Sequence, residues 1–393
     1  MATDRPKSPS PARASLIAFW PVLCCALLLA GAFAPASASA KFRGAPNSKL
    51  QKQLNAIVES PAGPPGIAML VDRGKHTEFF SAGVADVGNR RPPTPFEAFR
   101  IASVAKGFNA YLAAKLIGNG ALSLDTTLRE SIPGVLPAAE GVKLRELLQH
   151  TSGLADYIRA PAFVEQLLAD PARYFSPAQL TEFVRDEPLG FAPGSAYHYS
   201  DTDNIAAGLI EEEASGLSYE QLLERRVFGP LKMRGSSLPS TVKMPRPFLH
   251  GYDVAPGEKP EDVSELINPA GAWASGGIVS TPLDMARFVR RYVPTVLATS
   301  TVEGPFRLGS SSPPGPGKNF AGLGIFRYRT GCGTVYGHTG SFPGYRIFVA
   351  ASSNGKRSVV FVANSQIVPG QGSQRISKEI TKAQARAVCR ALG

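Results

Sequence analysis

Tyr345-Arg-Ile-Phe-Val-Ala-Ala-Ser-Ser-Asn-Gly-Lys-Arg-Ser-Val-Val-Phe-Val-Ala-Asn364 decides the fold class. Two apolar runs, 345–351 and 358–364, flank Asn354-Gly355, which is hairpin-turn chemistry. Strand signals also occupy 322–328 and 333–338. At the other end of the chain, 66–71 and 77–84 read as two strands joined by Asp72-Arg73-Gly74. Between these regions the periodicity is helical, at 144–148, 162–168, 177–184, 205–213, 219–226 and 283–292. Helices close both ends: 47–59, with Leu50, Leu54, Ile57 and Val58 on one face, and 376–392. This order implies an α/β (α+β) fold, an antiparallel sheet flanked by terminal helices with an all-α domain inserted. The sheet part covers about 41–110 and 295–393, and the helical part about 111–294. A site would lie at the seam between them, where pockets are common. Residues 309–317 read as a Ser/Pro/Gly loop, and no internal repeats occur.

The hairpin turn contains Ser353 and Lys356, one of three Ser-x-x-Lys patterns in the chain. A second, Ser240/Lys243, lies in the Pro-rich stretch Leu238-Pro-Ser-Thr-Val-Lys-Met-Pro-Arg-Pro247. Only the third, Ser103/Lys106, opens an apolar periodic segment, with Phe108, Leu112, Leu116 and Ile117. At i, i+3 the two side chains share a helix face. A lysine amine there can take the serine proton, directly or through a relay, and make a nucleophile. The helix N-terminus adds a positive dipole end at the same spot.

The first 40 residues read as a secretory signal peptide. Arg5, Lys7 and Arg13 are the basic region, 16–33 is almost wholly apolar, and Ala36-Ser-Ala38 and Ala38-Ser-Ala40 offer cleavage sites. An uncleaved anchor is the rival reading, since the run is long enough to span. Cys24 and Cys25 follow the wrong residues for a lipoprotein site. After cleavage the sequence predicts an exported, periplasmic or secreted, protein with no stable membrane insertion. Two cysteines remain, Cys332 and Cys389; one disulfide or two buried thiols are both consistent with the sequence. The 393 residues carry a formal charge of +11. The basic residues are scattered and export removes the partner, so a nucleic-acid role is excluded.

Two further elements carry chemistry. Tyr199-Ser-Asp201 follows the turn Phe191-Ala-Pro-Gly-Ser195, and a phenol near an ammonium can have a depressed pKa and shuttle a proton. His338-Thr-Gly340 follows a strand and precedes the turn Ser341-Phe-Pro-Gly344. A strand end of small residues allows close backbone approach to a ligand, and a free N–H there could pair with that of Ser103 to hold an oxyanion.

In this order, Ser-x-x-Lys, Tyr-x-Asp and His-Thr-Gly resemble the class C β-lactamase and DD-peptidase (penicillin-binding-protein-like) family of serine hydrolases. The segments Leu147-Leu-Gln-His-Thr-Ser-Gly153, Tyr199-Ser-Asp-Thr-Asp-Asn204, Ala274-Ser-Gly-Gly-Ile-Val-Ser-Thr-Pro-Leu-Asp-Met-Ala286 and Tyr336-Gly-His-Thr-Gly340 resemble it too. The resemblance covers roughly 48–390. It implies Ser103 as the acylated nucleophile and Lys106 and Tyr199 as the groups sharing proton transfer. It implies an oxyanion hole from the N–H groups of Ser103 and Ser341. It places His338 and Thr339 at the substrate carboxylate, or at the backbone strand that the substrate pairs with, and gives Gly276 and Gly277 a role in shaping the helix-side loop. The substrate would be a small molecule or peptide: a D-amino-acid peptide, an ester or a β-lactam.

The chain departs from that family at two positions. His338 stands where the β-lactamases carry lysine, so carboxylate binding would weaken above the histidine pKa. Asp201 stands where asparagine donates to a substrate carbonyl; an ionised Asp only accepts, and would repel that carbonyl or bind an amine or the lysine. Both favour a D-alanyl-D-alanine carboxypeptidase-like or esterase-like hydrolase over a β-lactamase, with a catalytically retired envelope binding protein as the remaining alternative. There is no Gly-x-Ser-x-Gly elbow. The five histidines, 76, 150, 198, 250 and 338, show no metal spacing, and no phosphate loop occurs, so neither metal nor cofactor is implied. His150 reads as structural, hydrogen-bonded under the site. The sequence carries no signal for an oligomeric state.

Overall fold

The structure, a computed structural model, describes residues 46–255, 257–299, 315–367 and 374–393. The expected signal segment and residues 309–314 of the Ser/Pro/Gly loop lie outside them. The chain runs α1 (Lys49–Val58), β1 (Gly66–Asp72), β2 (Thr77–Gly83), α2 (Lys106–Gly118), α3 (Asp201–Ser215), α4 (Pro282–Thr299), β3 (Lys318–Ala321), β4 (Phe326–Thr330), β5 (Gly333–Phe342), β6 (Tyr345–Ala351), β7 (Ser358–Ala363) and α5 (Gln374–Leu392), with shorter helices between α2 and α4. The seven strands form one sheet in the order β2-β1-β7-β6-β5-β4-β3. Every neighbouring pair is antiparallel. The mixed class with a large antiparallel sheet is therefore the one expected.

The central strands are apolar at nearly every position because both sheet faces are covered. Ile67, Met69 and Val71 of β1, Phe348 of β6 and Phe361 of β7 pack with Leu50 and Leu54 of α1 and Ile380 and Val388 of α5. The alternate residues Ala68, Leu70, Ile347, Val349, Val360 and Val362 face α4, through Phe288, Val289 and Val293. Phe108 of α2 stacks on Phe288 at 3.7 Å between ring centroids, so α2 is the next layer out from α4.

The hairpin that sets the class pairs Ala351 with Ser358, which leaves six residues in the turn rather than two. Ser352 N–H donates to Arg357 O at 2.8 Å, and Gly355 takes the positive φ (68°) that the turn needs. Ser353 and Lys356 thus belong to a turn, and Lys243 sits in a loop, exposed and 3.4 Å from Glu265. The expected strand 322–328 is displaced. Gly322 N–H donates to Ile325 O across a turn, and strands form on either side of it as β3 and β4. Helix α4 continues past 292, through Pro294, to Thr299. Cys332, in the β4–β5 turn, and Cys389 of α5 form a disulfide with their Cα atoms 5.1 Å apart. Among the described residues no helix is long and apolar enough to cross a membrane.

Candidate active site

The site starts where a short strand is forced to turn. Phe99–Arg100 pairs with Val279–Ser280, and Ile101 N–H donates to Ile278 O at 3.1 Å. Ala102 then adopts φ 52°, a left-handed conformation that costs an alanine roughly 1–2 kcal/mol. The chain enters a single 3-10 turn, Ala102–Ala105, which runs directly into α2. Ser103 lies on this turn, half-buried, and Lys106 is the first residue of α2.

Lys106 is fully buried, and all three of its N–H donors are engaged. Nζ donates to Ser103 Oγ at 3.3 Å, to Asp201 Oδ1 at 2.6 Å and to Ser275 O at 2.9 Å. Ser275 O belongs to the short turn Trp273–Gly276, whose C-terminal carbonyls have no partners within so short a helix. Asp201 is the first residue of α3, not part of a loop. It binds the lysine, one of the two alternatives its chemistry allows. Beneath them Asn109 stitches three elements together: its Nδ2 donates to Asn204 O and Oδ1 and to Ala274 O, and its Oδ1 accepts from Tyr219.

The Tyr199 hydroxyl is close enough to Ser103 for the serine hydroxyl to act on its pKa, and Lys106 Nζ lies 4.9 Å from its ring centroid. The lysine does not depress the phenol pKa, contrary to expectation. Burial of the hydroxyl, then the Asp201 charge, push it well above the usual range. Tyr199 is therefore a neutral phenol at rest. Its ring packs on His150 at 4.2 Å. His150 Nδ1 meets Asp203 Oδ2 at 2.8 Å, and Ser152 donates to Asp203 Oδ1 at 2.5 Å. Burial lowers His150 to about 3 and raises Asp203, favouring the uncharged form of each.

His338 also differs from expectation. It is 1% exposed, and burial above all holds its pKa down to about 3, so it presents no cation to a substrate carboxylate. Its Nδ1 donates to Thr339 O at 2.5 Å. Neither His338 nor Thr339 lines the cavity beside Ser103. Strand β5 runs through His338-Thr-Gly340 to Phe342, pairing with β6 throughout but with β4 only as far as Gly337. Residues 338–342 thus have an open edge on the β4 side among the described strands. Gly340 is what lets this strand lie against the serine turn: a Cβ there would sit 2.5 Å from Ile101 O and 3.1 Å from Ala102 Cβ.

The cavity in front of Ser103 holds about 260 Å³. Ser103, Asp201, Asn268, Ser275, Gly276 and Ser341 contribute to its polar side, and Tyr157, Ile158, Phe163, Leu167 and Phe342 to its apolar side. Gln366 Nε2 donates to Ser341 Oγ at 3.1 Å. Among the described residues no Lys, Arg or His is in the wall. Ser275 and the apolar wall were not singled out from the sequence. Ser275 lies in a segment that carried the family resemblance, but the wall residues look like ordinary core positions. Among the described residues no group of three His, Cys, Asp or Glu could hold a metal.

The family described as Beta-lactamase matches residues 54–377. The chain is 24% identical over 318 residues to Penicillin-binding protein 4* of Bacillus subtilis (strain 168), covering 77% of this chain and 68% of that one. It is 26% identical over 283 residues to a beta-lactamase of Escherichia coli (strain K12), covering 70% of each. The solved D-stereospecific amidohydrolase from Streptomyces sp. superposes with a TM-score of 0.72 at 25% identity, over 85% of this chain and 97% of that one.

Proposed function

The chain belongs to the beta-lactamase family of serine hydrolases, and from that premise we propose that it cleaves small esters or amides that have an apolar acyl group and carry no carboxylate, through an acyl-serine. The observation that carries this reading is the wall of the cavity, which is apolar on one side and has no Lys, Arg or His among the described residues. A D-alanyl-D-alanine terminus or a β-lactam brings a carboxylate, and a carboxylate needs a charged partner when it leaves water. The second oxygen of Asp201 makes no hydrogen bond within the described residues, and the side chain is 14% exposed at the cavity. It favours a substrate with an N–H or ammonium group over one with a carbonyl at that point.

In this reading Ser103 is the nucleophile. Tyr199, a neutral phenol in contact with it, takes the serine proton as it passes its own to the leaving group, and water repeats the relay in reverse during deacylation. Lys106 stabilises the negative charge that moves through the relay, and Asp201 and Ser275 O fix its position. The N–H groups of Ser103 and Ser341 receive the oxyanion. The open edge of β5 supports a second reading, a D-amino-acid peptide laid down as an added strand. Residues 1–40 carry the pattern of an export signal, and the Cys332–Cys389 bridge suits an oxidising compartment, so we place the enzyme outside the cytoplasm.

The test is a panel of p-nitrophenyl esters, aminoacyl anilides, D-alanyl peptides and nitrocefin, with intact-mass analysis after a fluorophosphonate. Turnover should favour the uncharged and amine-bearing substrates, with a single adduct that Ser103→Ala abolishes. Preferential turnover of the carboxylate-bearing substrates would reject the substrate class, and an adduct that survives in Ser103→Ala would reject the mechanism.

A further inference from the structure

The mechanism leaves one carboxyl beside the site unused. Asp156 is 8% exposed, and its Oδ1 accepts the backbone N–H of Asp201 at 3.0 Å. Three more bonds fasten the same segment to the start of α3. Ala155 O accepts from Ser200 Oγ at 3.3 Å and from Thr202 Oγ1 at 2.7 Å, and Tyr157 N–H donates to Thr202 Oγ1 at 3.0 Å. Ser200, at the N-cap of α3, makes no side-chain cap bond of its own. Asp156 therefore caps the helix from outside it. The residue whose N–H it holds is the one that grips Lys106.

On the acyl-serine reading given above, we propose that Asp156 is a positioning residue that sets, through Asp201, the pH at which the Lys106–Tyr199 relay can take the Ser103 proton. It does not line the cavity, so it acts at one remove from the substrate. The titratable and charged groups that face it are Asp201 and Asp203 from α3, Lys106 from α2 and Arg159, 3.8 Å away in its own segment. The phenols of Tyr157 and Tyr199 also feel its charge. A carboxylate at this point places a second negative charge beside Asp201, and negative charge favours the protonated forms of Tyr199 and Lys106 with which the relay works. Burial first, and then Asp201, push Asp156 up to about 7, so the extra charge appears within the range where the enzyme would work.

Asp156→Asn in the full chain keeps an oxygen for the Asp201 N–H and removes the charge. The alkaline limb of the kcat/KM profile for p-nitrophenyl acetate should then move to lower pH by about half a unit. A merely structural cap would leave that limb in place. An alkaline limb superimposable on the wild type, in a variant with unchanged Tm, overturns the proposal. Absence of Ser103-dependent turnover in the wild type would instead reject the acyl-serine reading, and a measurement without turnover then decides. In a ¹³C-carboxyl titration the Asp156 midpoint, near 7 in the wild type, should fall in Asp201→Asn, because the coupling is reciprocal. An unmoved midpoint overturns it.

Discussion

Tyr199 shows how little a nearby ammonium decides when the group itself is buried. Desolvation of the phenolate outweighs the attraction of Lys106, and Asp201 adds to it, so the phenol keeps its proton. Tyr199→Phe should lower kcat for an ester by about 10²–10⁴-fold, with the Tm close to wild type. Stopped-flow turnover together with a melting curve checks both, and a wild-type kcat would remove Tyr199 from the relay. His338 follows the same physics with the opposite charge. Its folded pKa of about 3 lies below the ordinary 6.5, so between those values the unfolded chain binds the proton that the folded one refuses. Its contribution to stability is therefore flat above pH 6.5 and is lost as pH falls from there towards 3. His338→Gln should reduce the fall in urea midpoint between pH 7 and 4, whereas its profile of kcat/KM between pH 6 and 9 should keep the wild-type shape. A titration in kcat/KM near 6.5 that vanished in the variant would restore the charged histidine the sequence suggested.

At the scale of elements, the serine turn and β5 depend on each other at a single missing methyl. Gly340→Ala would bring a Cβ against the Ile101 carbonyl, which is backbone and cannot swing away. The strand must back off from the turn that carries Ser103, so we expect a destabilisation of about 1–3 kcal/mol and a loss in kcat/KM of at least tenfold by the geometric argument that small displacements at a reacting centre are costly. Urea denaturation and ester kinetics test this, and unaltered kinetics would separate β5 from the chemistry. The elements that the sequence revealed are those whose signal is local. The i, i+3 pairing of Ser103 and Lys106 needs only one helical turn, and the 345–364 hairpin needs only its own two runs. Ser341 and Phe342, which the sequence reads as part of the turn 341–344, are instead the end of β5; pairing with β6 and contact of Gly340 with the serine turn hold it extended. Strand β3, four residues long and only partly buried, has no apolar period to read. Asp156 and Ser275 could not be found because their roles rest on neighbours 45 and 169 positions away.

For the whole molecule, the largest single covalent constraint on the described fold is Cys332–Cys389, which spans 57 positions and ties α5 to the β4–β5 turn. Closing a loop of that size in the unfolded chain corresponds to about 4 kcal/mol in the chain-entropy picture. The Cys332→Ser/Cys389→Ser double variant should therefore lower the urea midpoint clearly while leaving kcat unchanged, since the bridge touches no residue of the cavity; an unchanged midpoint would show that α5 docks as firmly without it. Arg357 Nη1 provides a further anchor for that helix, donating to Ala391 O at 2.9 Å and Leu392 O at 2.7 Å. The strand order has a consequence in time. β1 lies between β2 and β7, and Gly66 bonds to Asn364 298 positions later in the chain. During synthesis the ribosome releases the front hairpin and the turn bearing Ser103 long before the strand that completes their sheet. Until β7 emerges, one side of β1 offers unpaired N–H and C=O groups to any other chain nearby.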